Sequence, residues 1–185
     1  MNRLKTINVA LLGLGTVGSG VAKLLERQKE ELPYKIGANI NIKRILVRNK
    51  EKYLGAVADP MILTTDWQDI INDAEISIVI EVIGGIEPTK TYLLEALNAG
   101  KNVVTANKDL LAEYGRELLE AAAQNHCDLL FEASVAGGIP IIRPLKQCLA
   151  GNHLTEVMGI VNGTTNYILT KMSSDGMDFN EALQK

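Results

Sequence analysis

Aromatic residues are scarce in this chain: one Trp, two Phe and five Tyr make up 4% of its 185 residues. Its core must therefore be filled by Ile, Leu, Val and Ala, a composition that suits buried parallel strands. Cysteine is rarer still. The two present, Cys127 and Cys148, have no metal or redox spacing, and without a disulfide framework a reducing cytoplasm is the expected compartment. Excess positive charge is also missing. The formal net charge is -3, and the densest basic cluster, Lys43 to Lys52, is interrupted by Ile45, Leu46 and Val47, which argues against a nucleic-acid partner. No apolar run is long enough for a bilayer: the longest, Ile76 to Ile86, is broken by Glu81, so no membrane partner is expected. The opening Met1-Asn2-Arg3-Leu4-Lys5 runs straight into a strand pattern, so no signal peptide is expected. Internal repeats and low-complexity segments are absent.

What is present is a regular alternation of strand and helix patterns. Apolar runs at Ile7 to Leu12, Ile40 to Val47, Met61 to Thr64, Ile76 to Ile83, Asn102 to Thr105 and Asp128 to Ala133 read as strands. Helical spacing of apolar residues appears from Val17 to Leu32, with a short helix over Asp66 to Asn72. Another helix opens on Pro88 and is closed by Gly100, and a further one runs from Leu110 to Gln124. This order predicts an α/β fold, a doubly wound Rossmann-type parallel sheet over residues 1–133, with helices on both faces. Residues 134–185 read as the beginning of a second α+β domain. It holds a turn at Gly137-Gly138-Ile139-Pro140, a helix ending at Gly151, a strand from Thr155 to Val161, and a loop at Asn162 to Thr165 opening another helix. Asp178-Phe179-Asn180-Glu181 has the form of a helix N-cap, and its helix is cut after four residues, so a truncated chain is expected.

Gly13-Leu14-Gly15-Thr16-Val17-Gly18 is a G-x-G-x-x-G sequence placed after a strand and at the opening of a helix, the context that a dinucleotide site needs. Gly13 permits the tight turn, Gly15 lets backbone approach a pyrophosphate, and Gly18 lets the helix pack close to the strand. The helix dipole and the N–H groups of its first turn then face the anion. Beyond the second strand, where a carboxylate would select NAD, stands Arg48, with Lys50 and Lys52 near it. A guanidinium suits a 2′-phosphate, so NADP is favoured over NAD; a solvated basic loop is the alternative. Glu81-Val82-Ile83-Gly84-Gly85 ends the fourth strand at the expected crevice, where glycines such as Gly84 would let a nicotinamide ribose approach the backbone, or would simply turn the chain into the next helix. Thr105-Ala106-Asn107-Lys108 follows the fifth strand at the same edge, where Lys108 could orient a substrate oxygen or be only a surface lysine. Glu132 ends an apolar strand in this reading, where a lone carboxylate is costly unless it is hydrogen-bonded or metal-bound. His126 and His153 sit in polar turns and are assigned no role.

Together these stretches resemble the homoserine dehydrogenase family over essentially the whole chain. Besides the three motifs above, the resemblance is carried by Phe131-Glu132-Ala133-Ser134-Val135-Ala136-Gly137-Gly138-Ile139-Pro140 and by Gly159-Ile160-Val161-Asn162-Gly163-Thr164-Thr165-Asn166-Tyr167-Ile168. The resemblance implies an NAD(P)(H)-dependent oxidoreductase interconverting L-homoserine and L-aspartate 4-semialdehyde, on the route from aspartate to threonine and methionine. It implies that Lys108 contacts the cofactor beside the substrate and that Gly163 and Thr164 border the active-site crevice. It also implies a monovalent cation, usually sodium, held by Glu132 and the backbone carbonyls of Val135, Gly137 and Ile139; oxygen ligands suit a hard cation. Residues 134–185 would be the start of a substrate and dimerisation domain, and the full-length protein a homodimer or larger homo-oligomer. The family's substrate-binding acidic residues and proton-donating lysine lie beyond Lys185, so the fragment is expected to bind cofactor without turnover.

Two other functions compete with that one. A semialdehyde- or sugar-oxidising relative would need an activated cysteine in the crevice, and neither Cys127, before a strand, nor Cys148, late in a helix, is well placed. A non-catalytic NAD(P)-sensing module would also lack the catalytic lysine, but would not be expected to end within a helix.

Overall fold

The computed structural model describes residues 4–160 and 162–184. Two compact units, Met1–Val135 and Ala136–Lys185, make up the chain. The first is built on six strands: β1 (Lys5–Leu12), β2 (Ala38–Leu46), β3 (Leu63–Thr64), β4 (Ile76–Glu81), β5 (Asn102–Thr105) and β6 (Leu129–Leu130). Every pairing is parallel, and the spatial order is β3-β2-β1-β4-β5-β6. The progression reverses between β1 and β4, the switch point of a doubly wound Rossmann sheet, as the sequence pattern leads one to expect.

Period-two alternation along the strands sorts side chains to the two faces. Leu11 joins Leu14, Ile45, Val47 and Leu63 on one face, covered by Val21 and Ala22 of α1 (Thr16–Arg27). After α1 comes a short α2 (Leu32–Ile36). Ala10, Leu12 and Val79 face the other way, against α3 (Gln68–Ile71), α4 (Thr89–Asn98) and α5 (Lys108–Gln124). Leu93 and Leu97 of α4 and Leu110 and Leu118 of α5 are fully buried there, each contributing about 1.5–3 kcal/mol of hydrophobic stabilisation. The amino-terminal edge of the sheet is closed by charge. Lys101 is buried with its Nζ donating to the carbonyls of Asp73 (2.7 Å) and Ile76 (2.8 Å), and burial pushes its pKa down. Lys43 pairs with Asp73 at 2.7 Å and holds that carboxyl below its usual range.

Several elements depart from the sequence pattern: the strand expected over 61–64 is only Leu63–Thr64, the one expected to reach Ile83 stops at Glu81, and the helix expected to end at Gly151 is a π-helical turn at Pro144–Cys148. The helix expected to reach Leu32 stops at Arg27, because the chain turns through residues 28–31 before α2 ends on the left-handed Gly37 (φ 73°). Pro88 is the residue before α4 and not its first residue. The strand expected over 128–133 is only Leu129–Leu130. The backbone N–H and the hydroxyl of Ser134 both donate to the Phe131 carbonyl, pulling Glu132–Ser134 into a 3-10 turn. Residues 155–160 form no strand; Val161, the last residue of that expected strand, lies outside the described residues.

In the second unit, a 3-10 turn at Ala136–Gly138 is followed by a π-helical turn at Pro144–Cys148, then by α6 (Gly163–Asp175) and α7 (Phe179–Gln184). Asn162 caps α6 by accepting from the Thr165 N–H at 2.8 Å, and Asp178 caps α7 by accepting from Asn180 and Glu181 at 2.9 and 3.1 Å. The capping pattern read at Asp178 is thus formed.

At the β1–α1 turn, helix and turn cross closely. Gly13 has φ +99°, and a Cβ on Gly18 would stand 2.1 Å from the Gly13 carbonyl oxygen, whereas one on Gly20 would meet nothing within 4 Å. Gly18→Ala is therefore expected to cost about 1–3 kcal/mol or more of stability. Gly20→Ala, two residues on and exposed, should gain roughly 0.5–1 kcal/mol from helix propensity and reduced unfolded-state entropy. Denaturant unfolding of the two variants checks this, and equal responses would mean that helix and turn do not meet so closely.

Candidate dinucleotide-binding site

A cavity of about 810 Å³ opens at the carboxyl ends of β1, β2 and β4, at the switch point. Gly13, Leu14 and Gly15 form its floor beyond β1, while Val47, Arg48, Asn49, Lys52 and Tyr53 line it beyond β2. Its far wall comes from Val82, Ile83, Gly84, Gly85, Glu87 and Tyr92, on the segment joining β4 to α4 and on α4 itself.

The three glycines of the turn have different causes. Gly13 takes a left-handed conformation with the Val82 carbonyl oxygen 3.2 Å from its would-be Cβ, and Gly18 is forced by its contact with Gly13. Gly15 has an ordinary φ of -73°, and a Cβ there would meet nothing within 4 Å. No contact within the protein requires glycine at Gly15, and its lack of a side chain leaves the cavity floor open to a ligand. Gly15 is also the N-cap of α1, with no side chain capping the helix and no acidic residue in its first turn. Such a terminus suits an anion. These features fit the pyrophosphate of a dinucleotide.

The far wall is held by a carboxylate. Glu81, the last residue of β4, is 0% exposed. Its Oε1 accepts the backbone N–H groups of Ile83 (2.8 Å) and Gly84 (2.9 Å), and its Oε2 accepts the Thr105 hydroxyl of β5. Thr105 in turn accepts the Asn107 N–H at 3.0 Å. The Asn107 side chain donates to the Gly85 carbonyl at 2.6 Å and accepts from Leu110 at 3.1 Å, capping α5. Thr89, also buried, donates to the Gly84 carbonyl at 3.1 Å. Gly84 and Gly85 have φ of +77° and +74°, so this circuit fixes two left-handed residues at the cavity wall. No buried side-chain polar atom among the described residues lacks a partner. Sequence reading placed Glu81 at the head of the crevice segment and as a break in an apolar run, but gave its carboxylate no role; that break was the available signal. It also passed over Asn49, Tyr53, Glu87 and Tyr92 as cavity residues.

Of the residues singled out from sequence, the structure gathers Gly13, Leu14, Gly15, Arg48 and Gly84 at the cavity, with Thr16, Val17 and Gly18 opening α1 behind the turn. Thr105 is buried behind the wall rather than in it. Lys108 is the exposed first residue of α5, next to the Asn107 that holds Gly85. Glu132 is half-buried in its 3-10 turn and not at the end of a buried strand, which removes the premise that burial demands a cation beside it. In the second unit, Gly137 has φ 56° within the Ala136–Gly138 turn, Ile139 is exposed, and Gly163 and Thr164 begin α6. No group of three or more His, Cys, Asp or Glu side chains among the described residues could hold a metal ion. Cys127 stands before β6, at the edge of the sheet opposite the cavity, and burial pushes its thiol pKa up. It is no nucleophile for this site. No helix among the described residues is long and apolar enough to cross a membrane.

Residues 13–132 match the family model of the homoserine dehydrogenase NAD-binding domain, and residues 140–185 that of homoserine dehydrogenase. A homoserine dehydrogenase of Bacillus subtilis is 51% identical over 182 residues, covering 98% of this chain and 42% of that protein. The crystal structure of a homoserine dehydrogenase from Thiobacillus denitrificans superposes with a TM-score of 0.83 at 44% identity, over 97% of this chain and 42% of that one. A hyperthermophilic archaeal homoserine dehydrogenase in complex with NADPH superposes with a TM-score of 0.76 at 26% identity, over 97% of this chain and 60% of that one.

If the Glu81 circuit holds the wall, Glu81→Ala leaves two amides and a hydroxyl buried without their acceptor. A loss of about 1–3 kcal/mol per group is expected, so about 3 kcal/mol or more in all. Glu81→Gln keeps one acceptor oxygen and should cost less, and Thr105→Val should cost about 1–3 kcal/mol through the orphaned Asn107 N–H. Chemical denaturation ranks the three. A Glu81→Ala protein as stable as the parent would show that the circuit contributes nothing.

Proposed function

The chain belongs to the homoserine dehydrogenase family, and we propose that it is the cofactor-binding part of an enzyme interconverting L-homoserine and L-aspartate 4-semialdehyde with NADP(H), NAD(H) being the weaker alternative. The chain spans about two fifths of the Bacillus subtilis relative's length (42%). The observation that carries the proposal is the Gly13–Gly18 turn, where Gly15 leaves the cavity floor open beside the uncapped start of α1. When bound, the dinucleotide supplies the nicotinamide carbon that accepts or gives the hydride. The turn from Gly13 to Gly18 and the α1 N-terminus would hold its pyrophosphate. Arg48, with Lys52 beside it, would take the 2′-phosphate, and Gly84 would let a ribose lie close to backbone. Lys108, past the carboxyl end of β5, would hold the substrate oxygen near the cofactor and offset charge developing there. Thr105 serves by keeping the Glu81 circuit closed.

The finer parts of the proposal rest on the family. Residues 134–185 begin the substrate and dimerisation domain, with Gly163 and Thr164 at the substrate crevice, and the whole protein is a cytoplasmic homodimer or larger homo-oligomer. It serves the aspartate route to threonine and methionine. Glu132 and the carbonyls of Val135, Gly137 and Ile139 form a hard, all-oxygen donor set that suits sodium. The non-glycine Ala136 in a left-handed conformation (φ 56°) supports a specially held turn there. Melting with sodium varied at fixed ionic strength checks the cation.

Loss of the charge-assisted contact in Arg48→Ala should weaken NADP(H) binding by about 1.5–3 kcal/mol, on the order of 10- to 100-fold, and leave NAD(H) little changed. Calorimetric titration of both cofactors decides it, and wild type binding the two alike with no effect of the mutation would return Arg48 to a solvated loop. In a protein of the relatives' length, Lys108→Ala should lower kcat/KM for L-homoserine by roughly 10²-fold or more. NADPH production from L-homoserine is the assay, and an unimpaired variant would remove Lys108 from the site.

A further inference from the structure

Charge is spread unevenly around the cavity. Arg48 and Lys52 line it beyond β2, whereas the wall between β4 and α4 carries a carboxylate, Glu87. Glu87 follows the two left-handed glycines, and its Oε2 accepts the Thr91 hydroxyl at 2.9 Å, which anchors the side chain on the first turn of α4. Lys90, the cation of α4, makes its close contacts elsewhere, pairing with Glu117 at 2.9 Å and lying 4.0 Å over the Tyr114 ring, and reaches Glu87 only through a longer-range attraction. The carboxylate therefore stays beside a cavity whose other features suit an anionic ligand.

A carboxylate in a phosphate-binding cavity needs an explanation, because it repels the ligand unless it faces a part that is neutral or cationic. A pyridine dinucleotide has such a part. In a doubly wound sheet the adenosine half lies over β1 to β3 and the second mononucleotide over β4 to β6. The cations beyond β2 would then meet the adenosine end, and Glu87, on the β4 side of the cavity, would meet the nicotinamide end. The ring there is neutral when reduced and carries a positive charge when oxidised.

We propose that Glu87 sets the oxidation-state preference of the site, favouring the oxidised cofactor through attraction between its carboxylate and the cationic ring. This rests on the cofactor assignment under Proposed function. The reduced ring gains nothing from the carboxylate, so the effect shows as a difference between two affinities and not as a loss of both. Lys108, at the start of α5, acts in the opposite sense, but it is unchanged by substitution at Glu87 and cancels in the comparison. Glu87 is exposed, so the attraction is partly screened and weakens with salt.

The test is calorimetric titration of the protein with NADP+ and with NADPH, for wild type, Glu87→Gln and Thr91→Ala. Glu87→Gln should weaken NADP+ binding by about 3- to 10-fold at low ionic strength and leave NADPH within about two-fold, the gap narrowing as salt is raised. Thr91→Ala removes the anchoring hydroxyl and keeps the charge, so its ratio of affinities should stay close to that of wild type. Equal weakening of both oxidation states in Glu87→Gln would make Glu87 a structural residue of the α4 start and overturn the proposal, as would an unchanged ratio. Wild type that binds neither form would overturn the cofactor assignment itself, and this inference with it.

Discussion

A carboxylate buried at the carboxyl end of a central strand is the constraint on which the cavity depends. Removing Glu81 from water is costly, and the cost is offset only because two backbone amides and a hydroxyl meet it in good geometry. Those donors come from two places in the chain, the segment after β4 and the end of β5. Satisfying the carboxylate therefore fixes one against the other. Through Thr105 and Asn107 the same constraint reaches the start of α5 and returns to the Gly85 carbonyl. An apolar residue at Glu81 would pack, but it would leave the amides of a left-handed Gly-Gly segment without acceptors. The wall of the site is thus held by polar satisfaction where the rest of the sheet is held by aliphatic burial.

The cavity floor is built on a different principle. Two glycines of the turn that forms it answer to the protein: Gly13 to a left-handed turn under the Val82 carbonyl, Gly18 to the close crossing of α1. Gly15 answers to neither. Within one six-residue motif, two glycines are fixed by the protein's own packing and one is left facing the open cavity. The amino-terminal edge of the sheet completes the division of labour. There Lys101, Lys43 and Asp73 tie the starts of β4 and β5 to β2, and none of the three lines the cavity, so the ends that brace are not the ends that open onto it.

The architecture was legible in the sequence because each apolar strand run has one period and is bounded by glycine, proline or polar turns. That is enough to place six parallel strands in order and to put the glycine turn and Arg48 at one edge of the sheet. Element ends were less legible. The run after Asp128 looked like a six-residue strand, but whether an edge strand continues depends on local hydrogen bonding, and Ser134 claims the Phe131 carbonyl. Residues 155–160 carry a strand pattern that finds no partner strand among the described residues, and pairing is not a property of one segment.

The residue sequence by itself determined the parallel α/β class, the glycine turn after β1, the basic side chains beyond β2 and the family. All of these are set by local composition and spacing. Tertiary structure decided which buried polar groups meet. It showed that the costly buried carboxylate is Glu81 and not Glu132, that Thr105 stands behind the wall and not in it, and that Glu87 shares a cavity with Arg48 across the switch point. The physical reason is common to all three. Hydrogen-bond satisfaction and charge proximity join residues from strands distant in sequence, and no pattern within one segment records the partner.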